Sequence, residues 1–525
     1  MNIIKSLMSK SSQAERSFGK IASEFSAPML ELVQCTIDCQ TNLSAIDLAL
    51  LDQLHLESSQ VEEFLDAANA NNNQYWYLYR RAVAFIKTFS RVVRKILYIR
   101  DSYQHYQLIS IDAGFLKETE DILNQSRELL IDGCQYCIKE ANKHHLHLAS
   151  MLTAPKKTTH LNSPLQLPST RQVRHEAQPS ITVISLATEF LQLVARQDIF
   201  SLYQDKDHYK NLSALIPNDL SVEQLRLLAV RFHNMQSSYD TFISGSDLLR
   251  QDHKLTIMSH HINLAYALIE IATLTVHYYQ RHVHQRVKTS FLASFTRLDA
   301  NKILNHIVFY SLHYADILRM AGRGLCQDML KHYTEPGVIE TLAPFYRGFH
   351  VRPSTLIAKI VAHYGSQVVM KIDQTSYDAG LPLDLFRANE ELNARKRKHV
   401  FEVIGNSEIL KNYAEVSPTL DQRKHAIREF LMDLVDKKQI ALYDTNLSFS
   451  DMVELDNETY LEFFKRLISR YMAMGRLDVR MEIKIIFEGD KRVLEDIQAL
   501  ADHGYGEDLF GNNIVLPTKL NYLRQ

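Results

Sequence analysis

The chain has 525 residues with 59 Lys+Arg against 61 Asp+Glu, and its 16 Gly and 12 Pro make up about 5% of the length, where about 12% is ordinary. This scarcity argues against loop-rich, all-β and collagen-like classes, and near-neutrality supplies no concentrated positive field, so no nucleic-acid partner is expected. A composition of 46% hydrophobic and 23% charged residues excludes disorder throughout, and the length allows roughly three cores.

Met1 leads into Asn2, Ile3, Ile4 and Lys5 without the apolar run of a secretory signal, and no stretch reaches the ~20 apolar residues of a membrane span. A cytoplasmic protein with no membrane span is therefore expected, and its five cysteines suit reduced thiols better than disulfides. From residue 14 to 152 the spacing predicts long amphipathic helices, near 44–70, 73–100 and 117–151. Residues 153–180 hold four prolines, Pro155, Pro164, Pro168 and Pro179, and read as a linker. A second helical block runs from 181 to 335, and its centre, Ile262 to Val276, is apolar on most faces, as in a helix buried on several sides.

The glycines divide unevenly, six before residue 337 and ten from there on. Two N-terminal helical bundles, 1–152 and 181–335, are therefore expected to precede a different architecture at 336–525. There Gly348-Phe349-His350-Val351-Arg352-Pro353-Ser354 is followed by a stripe of Leu356, Ile357, Ile360 and Val361, closed by Gly365. A helix starting just after His350 fits, because Pro353 costs no hydrogen bond in a first turn and Gly365 suits the residue after the last. Residues 366–372 alternate as a half-buried strand, with Val368, Met370 and Ile372 on one face.

A helix N-terminus offers unpaired N–H donors and a positive dipole end, which attract phosphate and favour a neutral, nucleophilic imidazole. Arg352 can add a fork of donors to a phosphoryl group on His350, and the helix N-terminus of Val351, Arg352 and Ser354 can cradle it. These residues together suit a reversible phosphoryl acceptor; the plain alternative is a histidine that only caps its helix.

The run resembles the phosphorylation-site signature Gly-Leu-His-Ala-Arg-Pro-Ala of HPr, the histidine phosphocarrier family of the phosphoenolpyruvate-dependent phosphotransferase system. Gly348, His350, Arg352 and Pro353 match; Phe349 and Ser354 replace Leu and Ala. The resemblance implies a β-α-β-β-α-β-α open-faced sandwich, with strands at about 338–346, 366–372, 377–379 and 481–487 and a last helix carrying Val493, Leu494, Ile497 and Leu500. It also implies phosphorylation of His350 by an enzyme I-type donor protein and onward transfer to an unknown acceptor or regulated protein, so the chain is a phosphocarrier or regulator more than a turnover enzyme. The alternative function is a helical scaffold that keeps the domain as a binding module. Two departures stand out. Leu381 occupies the place of the family's regulatory serine, and residues 382–478 read as a mostly helical insertion (Leu385–Arg397, Asp421–Lys437, Asn457–Met474) that should alter or cover the docking face.

Weaker patterns remain. Cys35, Cys39, Cys134 and Cys137 have spacings a zinc site could use but read as helical thiols. Eight histidines fall between 253 and 313, with His277 and His284, and His306 and His313, each seven apart; metal ligation would need Glu270 or Asp316 to converge on them, and a second phosphoacceptor among them is an alternative. Arg395 to His399 reads as a solvated basic helix face. No nucleotide loop, Gly-x-Ser-x-Gly elbow or His-Glu-x-x-His pair occurs, so no cofactor or metal is expected.

Overall fold

The computed structural model describes residues 2–112, 114–146, 179–195, 199–200, 212–216, 218–283, 299–407, 420–443 and 459–524. Mainly helical, the chain divides into two compact units, Met1–Cys326 and Gln327–Gln525. Among the described residues no helix is long and apolar enough to cross a membrane.

The first unit comprises α1 (Asn2–Asp38), α2 (Leu48–Ala67), α3 (Tyr77–Tyr103), α4 (Gly114–Lys143), α5 (Pro179–Ala195), the single turn α6 (Leu212–Leu215), α7 (Val222–Phe242), the single turn α8 (Leu248–Gln251), α9 (Lys254–Tyr278) and most of α10 (Ala300–Tyr333). Where two bundles were expected there is one unit. The reason is α3, which buries Val83, Phe85, Ile86, Phe89 and Val92 and packs on α2, α4 and α9 together. Asp47 starts α2 by accepting the Leu50 N–H at 2.9 Å, and Ser221 with Gln224 forms a capping box on α7. Helix α4 stops at Lys143 rather than 151. His145 turns left-handed at φ +54°, and the Leu146 N–H returns to the Ala141 carbonyl at 3.0 Å. The expected linker 153–180 lies outside the described residues except for its last two, which open α5.

In the second unit β1 (Pro336–Leu342) precedes α11 (Val351–Tyr364), β2 (Val368–Ile372), β3 (Thr375–Asp378) and α12 (Pro382–Gly405). Then come α13 (Leu420–Asp436), β4 (Ile440–Leu442), α14 (Tyr460–Ala473), β5 (Leu477–Val479), β6 (Lys484–Asp490) and α15 (Lys491–Asp502). Strands β1, β6, β2 and β3 lie side by side in that order, antiparallel throughout, with Pro336 opposite Asp490, Val368 opposite Gly489 and Val369 opposite Asp378. Alternation along β2 and β6 sends Val368, Met370, Ile372, Ile485 and Phe487 into one core, which Ile357 and Ile360 of α11 and Val493, Leu494 and Ile497 of α15 complete. The opposite face is wet. Val338 is exposed there, and Lys371 pairs with Glu488 at 2.6 Å.

Strand β1 ends at Leu342, short of the expected 346, because the chain leaves the ladder at Pro344, which has no N–H to give. The expected insertion at 382–478 is not separate at its start. Leu385, Ala388 and Leu392 from the first half of α12 sit in the sheet's core, whereas Val400 and Ile404 from the second half join Phe430, Leu431, Phe464 and Leu467 in another. Two short strands absent from the expectation, β4 and β5, pair at the base of that second core, Ile440 opposite Val479.

His144, just past α4, is buried with its ring stacked 4.2 Å from that of Trp76, and among the described residues neither ring nitrogen has a partner. Burial holds its pKa down at about 4, against an ordinary 6.5. The unfolded chain therefore binds a proton that the folded chain refuses, so the contribution of this group is complete above pH 6.5 and is lost as pH falls from there towards 4. Urea unfolding at pH 7 and pH 5 should show that His144→Phe makes the loss of stability on acidification smaller than in the wild type by on the order of 1–2 kcal/mol.

Candidate functional site

The site grows from the segment that joins β1 to α11. Arg347 and Gly348 both take left-handed backbone, at φ +55° and +61°, and a methyl group at position 348 would lie 2.1 Å from Asn389 Oδ1. Four contacts hold this bend, from α12, from β5 and from the chain leading into β5. The Arg347 N–H donates to Asp478 Oδ2 at 3.0 Å and its guanidinium donates to the Gly475 carbonyl at 2.6 Å. Asn389 accepts the Phe349 N–H at 2.9 Å and donates to the Arg347 carbonyl at 3.1 Å. Asp478 is itself gripped by the ammonium of Lys396 at 2.9 and 3.0 Å, and both residues are buried. Lys396, expected on a solvated basic face, is thus a core residue, and its neighbour Arg395 pairs with Asp373 at 2.7 Å.

Beyond the bend, His350 is the N-cap of α11, and Gly365, left-handed at φ +67°, closes that helix. The His350 Nδ1 accepts the Arg352 backbone N–H at 3.4 Å. Its Nε2 lies 2.8 Å from Oε2 of Glu507, whose side chain is 8% exposed. A carboxylate only accepts, so Nε2 carries the ring proton and Nδ1 keeps its lone pair towards the helix end. Tyr346 stands edge-on to the imidazole at 5.5 Å. The ring keeps 22% of its surface exposed.

Arg352 spans the same carboxylate, with Nε 4.0 Å from Glu507 Oε1, and its guanidinium also donates to Asn513. Val351 is exposed and leaves its N–H at the helix mouth; Pro353, buried in the first turn, has none to offer. Ser354 departs from the expected role. Its N–H bonds the His350 carbonyl at 3.2 Å and its buried hydroxyl donates to the Phe349 carbonyl at 2.9 Å, so it faces the core. The first-turn donors at the helix mouth are the N–H groups of Val351 and Arg352.

Glu507 and Asn513 come from a C-terminal loop that carries no recognisable motif in the sequence, although Gly504, Gly506 and Gly511 mark it as a turn region. Asp508 ties the loop by accepting the Phe510 and Asn512 N–H groups, each at 2.8 Å. Left-handed Gly511 allows the close approach to Tyr346: a Cβ there would sit 2.5 Å from its ring. Tyr505 anchors the other end, its buried hydroxyl donating to the Leu342 carbonyl at 2.8 Å.

The other candidate clusters stay apart. Cys134 and Cys137 are buried in α4, and burial pushes their thiols up; Cys35 and Cys39, on and just past α1, are half-buried, and burial pushes theirs up as well. Glu270 and Asp316, the carboxylates a histidine–metal site would need, are taken by Lys95 and Arg319. His306 meets Gln125 at 3.3 Å, His313 stacks on Phe309, and His284 lies outside the described residues. Among the described residues no three His, Cys, Asp or Glu stand close enough together to hold a metal ion.

Lys396→Ala would leave Asp478 buried beside an empty socket, so the second unit should lose about 3–5 kcal/mol in denaturant unfolding. Nitrogen-15 NMR of the wild-type His350 ring should find the neutral ring's proton on Nε2, and Glu507→Leu should populate both tautomers; a proton mainly on Nδ1 in the wild type would contradict the site as described. Comparison of the chain with protein-family models, with curated proteins and with solved structures finds no match.

Proposed function

We propose that the chain is a phosphocarrier or phosphorylation-responsive regulator whose HPr-like second unit accepts a phosphoryl group on His350. The observation that carries this reading is the imidazole itself, held by Glu507 through Nε2 with its other nitrogen at a helix N-terminus beside Arg352. The succession β1-α11-β2-β3-α12-β6-α15, leaving out the elements between α12 and β6, supports the resemblance carried by Gly348, His350, Arg352 and Pro353.

In the transfer, the nitrogen–phosphorus bond of a phosphohistidine donor breaks as a bond forms from phosphorus to Nδ1. The Nε2 proton stays in place. The phosphorylated ring is then cationic and faces the Glu507 carboxylate, which offsets its charge, while the N–H groups of Val351 and Arg352 and the Arg352 guanidinium receive the phosphoryl oxygens. Nucleophile, charge partner and anion cradle are thus all supplied by this chain.

Burial of four-fifths of the ring favours the second reading, a binding module without transfer. Incubation with enzyme I and phosphoenolpyruvate separates the two. The expected result is one acid-labile phosphate per chain, bonded to Nδ1, absent in His350→Ala and formed at least about tenfold more slowly in Arg352→Ala. No label on the wild type with enzyme I from several sources would overturn the carrier reading in favour of the module.

A further inference from the structure

The first unit carries a groove of about 390 Å³ whose walls come from α3, α7 and α9. On α7 the spacing of Arg226, Ala229, Val230 and His233 puts all four on one helical face; on α9 Tyr266, Glu270 and His277 line up in the same way, and Arg91 enters from α3. Among the described residues the only carboxylate in the lining, Glu270, is already neutralised: it pairs with Lys95 and accepts the Tyr266 hydroxyl. Among the described residues neither Arg91 nor Arg226 makes an ion pair. Two guanidinium groups and two imidazoles thus surround a space with no free anion among the described residues of its wall, next to the aliphatic surface of Val230 and Leu274.

The charge around His277 points the same way. Burial first, and then Arg226, Arg281 and Lys87, hold its ring below the usual histidine range, with only Glu62 opposing. Lys87 is itself paired with Glu62, so among the described residues Arg226 and Arg281 are the positive charges left at that wall of the groove.

We propose that this groove binds a small organic phosphate monoester, its phosphate on Arg91 and Arg226 and its carbon skeleton against Val230 and Leu274. A dianion matches two guanidinium groups that have no carboxylate partner among the described residues, and the forked donors of arginine suit tetrahedral phosphate. The volume is that of a small-molecule pocket and leaves room for an organic body beyond the phosphate. This assignment is independent of the chemistry at His350.

Calorimetric titration of the full chain with glycerol 3-phosphate, inorganic phosphate and succinate tests it. Glycerol 3-phosphate should bind once per chain, inorganic phosphate more weakly and succinate most weakly. Arg91→Gln and Arg226→Gln should each weaken glycerol 3-phosphate by about tenfold or more, while Lys398→Gln, an exposed cation elsewhere, should change nothing. Each variant's thermal unfolding is compared with the wild type, and a wild-type midpoint assigns the loss to the groove. The proposal is overturned if the wild type binds neither phosphate at millimolar concentration, if succinate binds as tightly, or if Lys398→Gln weakens binding as much as the arginine variants do.

Discussion

The ammonium of Lys396 and the carboxylate of Asp478 meet out of water, and the geometry at His350 descends from that meeting. Asp478 spends one oxygen on the Arg347 N–H, which helps hold a non-glycine residue in left-handed backbone; Gly348 continues the bend, and only then does the chain present His350 at the head of α11. A buried ion pair contributes little net stability over an apolar pair of the same size, because desolvation consumes the attraction. Its benefit here is direction. A leucine and a methionine in the same places would fill the space but could not accept the N–H that turns the chain.

A second constraint reaches His350 from the other end of the chain. The loop after α15 is closed on itself by Asp508 and pinned under β1 by the Tyr505 hydroxyl, so Glu507 arrives on a short, rigid support. The imidazole is consequently fixed on three sides: by its own helix, by the carboxylate and by the edge of the Tyr346 ring. Groups held in this way have little freedom left to lose when a ligand or partner engages them.

What could be read ahead of the structure was local. The cap at His350, the stop at Gly365 and the alternation of Val368, Met370 and Ile372 depend on neighbours a few residues apart, and sequence spacing records such relations directly. Glu507 stands 157 positions from its histidine, and no periodicity links two such residues. Lys396 misled for a different reason. It sits in a run of cations that resembles a solvated face, and its burial depends on Asp478, which is 82 positions away and lies outside every helix or strand that spacing predicts. Strands of three residues, β4 and β5, are too short to show an alternation against a helical background. Ser354 matched its expected position at the helix start, but its orientation follows from the packing of that turn, which a linear motif does not contain.

Helix α12 bears on how this architecture could have been assembled. Its N-terminal half closes the core of the four-stranded sheet and its C-terminal half nucleates the neighbouring one, so a single rigid rod is common property of both. Excising residues 382–478 to recover a minimal domain would strip Leu385, Ala388 and Leu392 from the first core and remove Asn389, Lys396 and Asp478 from beneath the histidine. Residues 382–478 are therefore inseparable from the rest of the second unit: with the clamp beneath His350 built partly from them, neither part can be removed without remaking the other.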